Sequence, residues 1–278
     1  MKQDPRTIID ATQDAGLTQR ASVKPVSNII NIPKFHWMPD KFDKRDFIYK
    51  LNNPKTTNVV DLREHTTPIE DQGALGSCTG QAIAGAIELL NNRAGKQTDV
   101  SRLFIYYYER LLLGTVNYDS GAYIRDGIKA TNRWGAPLER LWPYQIPKFK
   151  TAPSSIAVSD ASKRKVTRYE RAENFNAVID ALTSGFPVIV GFYVYSSFMS
   201  YAVSKTGFMP YPNVNRETLL GGHAVLLVGY NHNTQQFIAR NSWGTNWGDK
   251  GYFYMPYNVI KNNNMSSDFW VIKGVNNP

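Results

Sequence analysis

A chain of 278 residues, 42% of them hydrophobic and 13% aromatic, is long enough to bury one large core or two smaller ones that share an interface. It contains no run of the roughly 18 consecutive apolar residues that a membrane-spanning helix needs, and its polar start, Met1 to Gly16, has no hydrophobic secretory core. The single cysteine excludes an intramolecular disulfide and a paired-cysteine metal cluster, while a formal charge of +9 leaves nucleic acid or an anionic surface open as a partner.

Residues 1–57 have few periodic apolar runs and several prolines, with an aromatic and charged patch from Phe35 to Asp40 followed by a second from Phe42 to Tyr49. Such a segment has no core of its own and is expected to pack on something else. The texture turns globular at Val59-Val60-Asp61. Ile83, Ile87 and Leu90 recur at helical spacing among Ala82, Ala84 and Ala86, which predicts that Cys78 opens a buried helix. Arg102–Leu113 and Ile124–Trp134 read as two further helices. Past the proline-containing stretch Trp142–Pro147, short β-branched or aromatic runs bounded by Gly, Asn and Pro predict strands at 187–194, 223–230, 237–240 and 251–255. The fold class is therefore α+β, helical first and mainly β afterwards. The basic cluster Lys163, Arg164, Lys165, Arg168 and Arg171 comes with no zinc-finger spacing, RNP-like motif or phosphate-cradling loop; it reads as a surface or inter-domain segment, so nucleic acid is disfavoured but left open.

A lone thiol is either a buried apolar filler or a nucleophile. Amide hydrolysis by a thiol needs a thiolate, a base that holds and returns a proton, and donors aimed at the developing oxyanion. Cys78, at a predicted helix N-terminus, has a setting that favours the anion and should lower its pKa. Gln72 stands six positions before it in a Gly-bearing loop. His223 follows two glycines at the head of a β-run, and Asn241 follows another strand, from which its amide can orient the imidazole under the cover of Trp243.

Gln72 through Cys78, Gly222-His223-Ala224-Val225 and Asn241 through Tyr252 resemble the three active-site motifs of the papain and cathepsin family of cysteine peptidases. They stand in the family's order, with His223 and Asn241 about 145 and 163 residues after Cys78. Asp61-Leu62-Arg63 resembles the start of a mature domain, and Asp119 to Tyr123 a substrate-binding strip. The missing disulfides and the patches Trp37–Asp40 and Lys44–Asp46 look most like the xylellain-like branch from bacteria and large viruses. The resemblance implies a two-lobed fold with the active-site cleft between a helical lobe, about 58–150, and an antiparallel β-barrel-like lobe, about 151–278. It implies a cysteine endopeptidase that acts on proteins or peptides through a thioester, with Cys78 as nucleophile, His223 as base, Asn241 as its orienter and Gln72 in the oxyanion hole. Gly76, Ser77, Gly121, Ala122, Tyr123, Gly222, Ala224, Trp243 and Asp268 would line the substrate cleft. No cofactor or metal is required. Residues 1–57 would be a propeptide that blocks the cleft from within the same chain, anchored by Phe35, Trp37 and Phe42, in a monomer found in the cytosol or packaged in a virion.

Three departures from the family pattern stand out. Leu75 replaces the cysteine usual three residues before the nucleophile, which loosens the oxyanion loop unless Leu75 packs well. Thr79 replaces the aromatic usual after it, and Ala122 replaces a common Gly. Ser267 or Asp268 is expected at the base of the second substrate pocket, where an aspartate favours a basic side chain. His232, in a turn-like Asn231-His232-Asn233, is expected exposed, and His36 and His65 are given no role. A thiol acyl- or amidotransferase would use the same residues with an amine acceptor, and a binding protein on a degenerate peptidase fold would normally have lost one of them.

Overall fold

The computed structural model describes residues 35–55 and 57–276, and the account below concerns the unit Asn31–Pro278. After a short strand β1, Val59–Asp61, come three helices: α1 at Cys78–Arg93, α2 at Arg102–Leu113 and α3 at Ile124–Arg133. Helix α1 is buried on nearly every side, which its small residues permit. A Cβ on Gly80 would lie 3.0 Å from the Arg102 carbonyl oxygen of α2, and one on Gly85 would lie 3.3 Å from Leu226. Helix α2 begins at Ser101, whose hydroxyl accepts from the Phe104 N–H, and ends at Gly114 in the left-handed region, a conformation that costs glycine little.

The second half holds α4, Ser155–Ala161, and β2, Val166–Ala172. Next come α5, Phe175–Thr183, β3, Val188–Tyr195, α6, Tyr201–Thr206, and β4, Leu219–Asn231. The chain closes with β5, Gln236–Arg240, β6, Tyr252–Pro256, α7, Tyr257–Lys261, and β7, Ser266–Val275. The strands form one antiparallel sheet in the order β2-β7-β3-β4-β5-β6, with β1 paired to β4. The main core runs from α1 through this sheet and includes Ile83, Ile87, Val190, Phe192, Leu226, Phe253 and Trp270. Helix α1 packs on β4 on one side and on α2 and α3 on the other, so its first residue faces the junction of the two lobes.

The helices and strands expected from periodicity are all present, with α3 one residue shorter and β4 extended at both ends. Strands β2 and β7 and the shorter helices α4 to α7 were not anticipated. In β2 the basic run is strand: Val166, Glu170 and Ala172 face inward, Arg164 just before it is buried, and Arg171 bonds two carboxylates. The basic cluster is thus only partly a solvated face.

Candidate active site

Before α1 the chain turns through Gln72–Ser77. Leu75 is 2% exposed and packs with Leu103 and Tyr106 against Trp142, Tyr144 and Ile146, so apolar packing replaces the missing covalent tie in this loop. Gln72 is fully buried: its Nε2 donates to the Leu75 carbonyl at 3.0 Å, and its Oε1 accepts from the Ser242 hydroxyl at 2.6 Å. These bonds fix which way the amide points. The Ser77 hydroxyl pairs with Tyr144 at 2.6 Å, so this side chain holds the loop from behind.

His223 lies on β4, and Asn241 directly follows the adjacent antiparallel strand β5. His223 Nε2 and Asn241 Oδ1 are 2.8 Å apart, and the same Oδ1 accepts from the Ser242 N–H at 2.9 Å. Trp243 stacks on the imidazole with ring centroids 4.9 Å apart and planes at 25°, shielding that bond from water. The other ring nitrogen, Nδ1, has no hydrogen-bond partner among the described residues. The Cys78 thiol is fully buried at the head of α1, approached by the backbone N–H groups of Ala224 and His36.

The electrostatics differ from the expectation of a lowered Cys78 pKa. Burial pushes the thiol up to about 11, and burial pushes His223 down to about 4 despite its bond to Asn241. Both groups are neutral near pH 7. The helix N-terminus is in place, but desolvation outweighs it here, because the chain's own residues 35–38 cover the pair.

This segment crosses from one lobe to the other. The Trp37 N–H donates to the Gly222 carbonyl at 2.9 Å and the Met38 N–H to the Ala122 carbonyl at 3.1 Å. It fits because the walls lack side chains. A Cβ on Gly76 would lie 2.3 Å from His36 Nδ1, one on Gly121 1.9 Å from the His36 oxygen, and one on Gly191 1.9 Å from the Trp37 ring. Phe35 lies edge-on to His223 and Trp243, with centroids 6.2 and 5.9 Å away. Trp37 is 3% exposed and meets Tyr193 edge-on at 5.4 Å.

Beyond Trp37 the segment is held by a polar cluster. The Asp40 carboxylate accepts from the Trp270 indole at 2.8 Å and the Arg125 N–H at 3.2 Å, and its own N–H donates to Asp268 Oδ2 at 2.7 Å. Arg171 bonds Asp268 at 3.0 Å, and Arg125 bonds Asp46 at 2.6 Å. Asp268 is bound to the crossing segment through the Asp40 N–H, and Arg171 already answers the charge that was to attract a basic side chain. Of the expected anchors, Phe35 and Trp37 pack against the core, whereas Phe42 is 93% exposed and anchors nothing. Tyr49, which carried no signal beyond being aromatic, is a further anchor: it is 4% exposed, with its hydroxyl donating to Asp180 at 2.9 Å.

Gly76, Gly121, Ala122, Gly222, Ala224 and Trp243 gather around the thiol and the crossing segment, while Tyr123 stands half-exposed as the residue before α3. His36, given no role from sequence, lies over the cleft. His232 is half-buried, with its Nδ1 2.9 Å from the Tyr257 hydroxyl, since the turn folds back on α7.

The profile of the papain family of cysteine proteases matches residues 56–271. The chain belongs to this family. An uncharacterized peptidase C1-like protein of Acanthamoeba polyphaga mimivirus is 40% identical over 274 residues, 88% of each chain. Chicken cathepsin K is 31% identical over 210 residues, covering 72% of this chain and 59% of that protein. Among solved structures, xylellain, a cysteine protease of Xylella fastidiosa, aligns with a TM-score of 0.79 at 40% identity over 86% of this chain and 95% of its own. The digestive procathepsin L 3 of Tenebrio molitor aligns at 0.67 and 22% identity, over 81% of this chain and 72% of its own, which speaks for the fold alone. The protein is a cysteine peptidase with the α+β, two-lobed papain fold, on the side of the family where xylellain stands.

Proposed function

We propose that the protein is an endopeptidase made as a self-blocked precursor, with Cys78 as nucleophile, His223 as general base, Asn241 as its orienter and Gln72 as oxyanion donor. Residues 58–278 are the peptidase domain and residues 1–57 the inhibitory segment, of which 1–34 lie outside the described residues. The observation that carries this reading is the passage of Phe35–Met38 over the thiol, hydrogen-bonded to Gly222 on one rim and Ala122 on the other. Pairing of β1 with β4 supports a domain boundary just before residue 59.

Once the segment leaves, water and substrate reach the cleft, and the desolvation that kept Cys78 and His223 neutral is relieved. The thiolate, favoured at the head of α1, attacks the scissile carbonyl. The Cys78 N–H and the Gln72 amide receive the oxyanion, His223 protonates the departing amine, and water releases the acyl group with His223 as base. His223 keeps its ring orientation throughout because Asn241 accepts from Nε2.

The test compares hydrolysis of a fluorogenic Phe-Arg peptide under reducing conditions by the full chain, by Cys78→Ala and by a form beginning near residue 57. Thiol-dependent cleavage that disappears in Cys78→Ala and rises on truncation supports both parts. No cleavage by the truncated form from acid to neutral pH overturns the peptidase assignment of these residues. Equal cleavage by full and truncated chains overturns the inhibitory role.

A further inference from the structure

Beneath the candidate nucleophile lies a carboxyl group that forms no ion pair among the described residues. Glu109 of α2 is fully buried; its Oε1 accepts from the Thr79 hydroxyl at 2.6 Å, and its Oε2 has no hydrogen-bond partner among the described residues. Thr79 is the residue after Cys78, in the first turn of α1. Helix α3 is shaped around this group, since a Cβ on Gly127 would stand 2.5 Å from Oε2 and 2.3 Å from Ile83 of α1.

An ionised carboxylate in such a place is strongly disfavoured unless a cation pairs with it. The neighbouring cation in sequence, Arg110, turns away: its guanidinium is spent on the carbonyls of Tyr106, Val116, Tyr118 and Phe149. The titratable group facing it from α3 is Asp126, a second acid, and from α1 it is the Cys78 thiol. We propose that Glu109 is a positioning residue of this peptidase: buried beside the nucleophile helix, it fastens the first turn of that helix through Thr79, and a charge placed on it penalises the Cys78 thiolate.

Burial raises the Glu109 pKa to about 8, with the Thr79 bond and Arg110 opposing the rise, and a charge on Glu109 raises the thiol in turn. The sign follows: below about pH 8 the acid is neutral and the thiolate forms unopposed, and above it the thiolate meets a like charge in a low-dielectric lobe. The inference rests on Cys78 being the nucleophile.

The experiment uses the truncated enzyme with Glu109→Gln and Thr79→Val. Glutamine keeps an oxygen for Thr79 and cannot ionise, and Thr79→Val removes the link while keeping the shape. Two readouts are taken from pH 6 to 10: kcat/KM on the reporter peptide, and the rate of Cys78 alkylation by iodoacetamide, which requires no turnover. Glu109→Gln should match the parent near pH 7 and exceed it by about three- to tenfold at pH 9 in both readouts. Thr79→Val should lower kcat with little change in KM. Parental pH profiles in Glu109→Gln together with parental kcat in Thr79→Val would overturn the proposal and leave the pair as core packing. Activity surviving in Cys78→Ala would instead overturn the nucleophile assignment, whatever the Glu109 variant does.

Discussion

Replacing Trp37 by alanine gives the most direct measure of how the N-terminal segment is held. The indole is 3% exposed in a recess formed by Gly191, Gly222 and Tyr193. Burying an aromatic side chain removes about 150–250 Å² from water, worth about 4–6 kcal/mol at ~25 cal/mol per Å², and truncations of this kind cost about 3–5 kcal/mol in measured cores. Taking the lower bound of 3 kcal/mol, at about 1.4 kcal/mol per tenfold, the population with an uncovered cleft rises by roughly two orders of magnitude. Cys78 is the only thiol in the chain, so its alkylation by iodoacetamide, followed by intact mass, reports that population even where peptidase activity stays low. Trp37→Ala in the full chain should be alkylated about 100-fold faster than the parent, while the melting temperature of the peptidase domain changes little. An alkylation rate within about threefold of the parent, in a folded protein, would refute the assignment of Trp37 as the anchor.

Further outcomes follow from the same geometry. Burial, with the nearby Asp268 charge, raises Asp40 to about 7, so this group favours the docked segment most fully below its ordinary pKa near 3.8, and the contribution is lost as pH rises through about 7; thiol alkylation of the full chain should accelerate over that window, and Asp40→Asn should flatten the dependence. Leu75→Ala should cost about 2–4 kcal/mol, read as a lowered denaturation midpoint, with reduced kcat in the truncated form because the Gln72 loop loses its packing. Phe42→Ala should leave alkylation and melting unchanged within about 0.5 kcal/mol, since the ring is in solvent; a clear acceleration would show that it anchors the segment after all.

The resting state of the site explains why a residue's chemistry cannot be read from its local sequence alone. A cysteine at a helix N-terminus argues for a lowered pKa, and the helix is where the apolar spacing put it. The thiol is nonetheless raised, because burial by residues 35–38, far upstream in the chain, dominates its surroundings. The same distance effect converts Asp268 from a lure for basic side chains into the partner of Arg171 and of the Asp40 amide.

Local pattern sufficed for the elements whose periodicity is strong, Cys78 to Leu90 and the apolar strands at 187–194 and 223–230, and for the family motifs that set Gln72, Cys78, His223 and Asn241 in one chain order. It also flagged Leu75 and Thr79 as departures, without showing what stands in for the usual groups. It took the folded chain to bring Leu75 among Leu103 and Tyr106, to set Thr79 against Glu109, and to tie the N-terminal segment down at Tyr49 rather than Phe42. Strands β2 and β7 escaped the reading because one is basic along its outer face and the other follows an Asn-rich turn, so alternation was masked by charge and by turn signals. The physical reason is common to these cases: periodicity and motif spacing report local conformation and chemical type, whereas burial, charge compensation and close approach at glycine walls belong to pairs of residues that only the folded chain brings together.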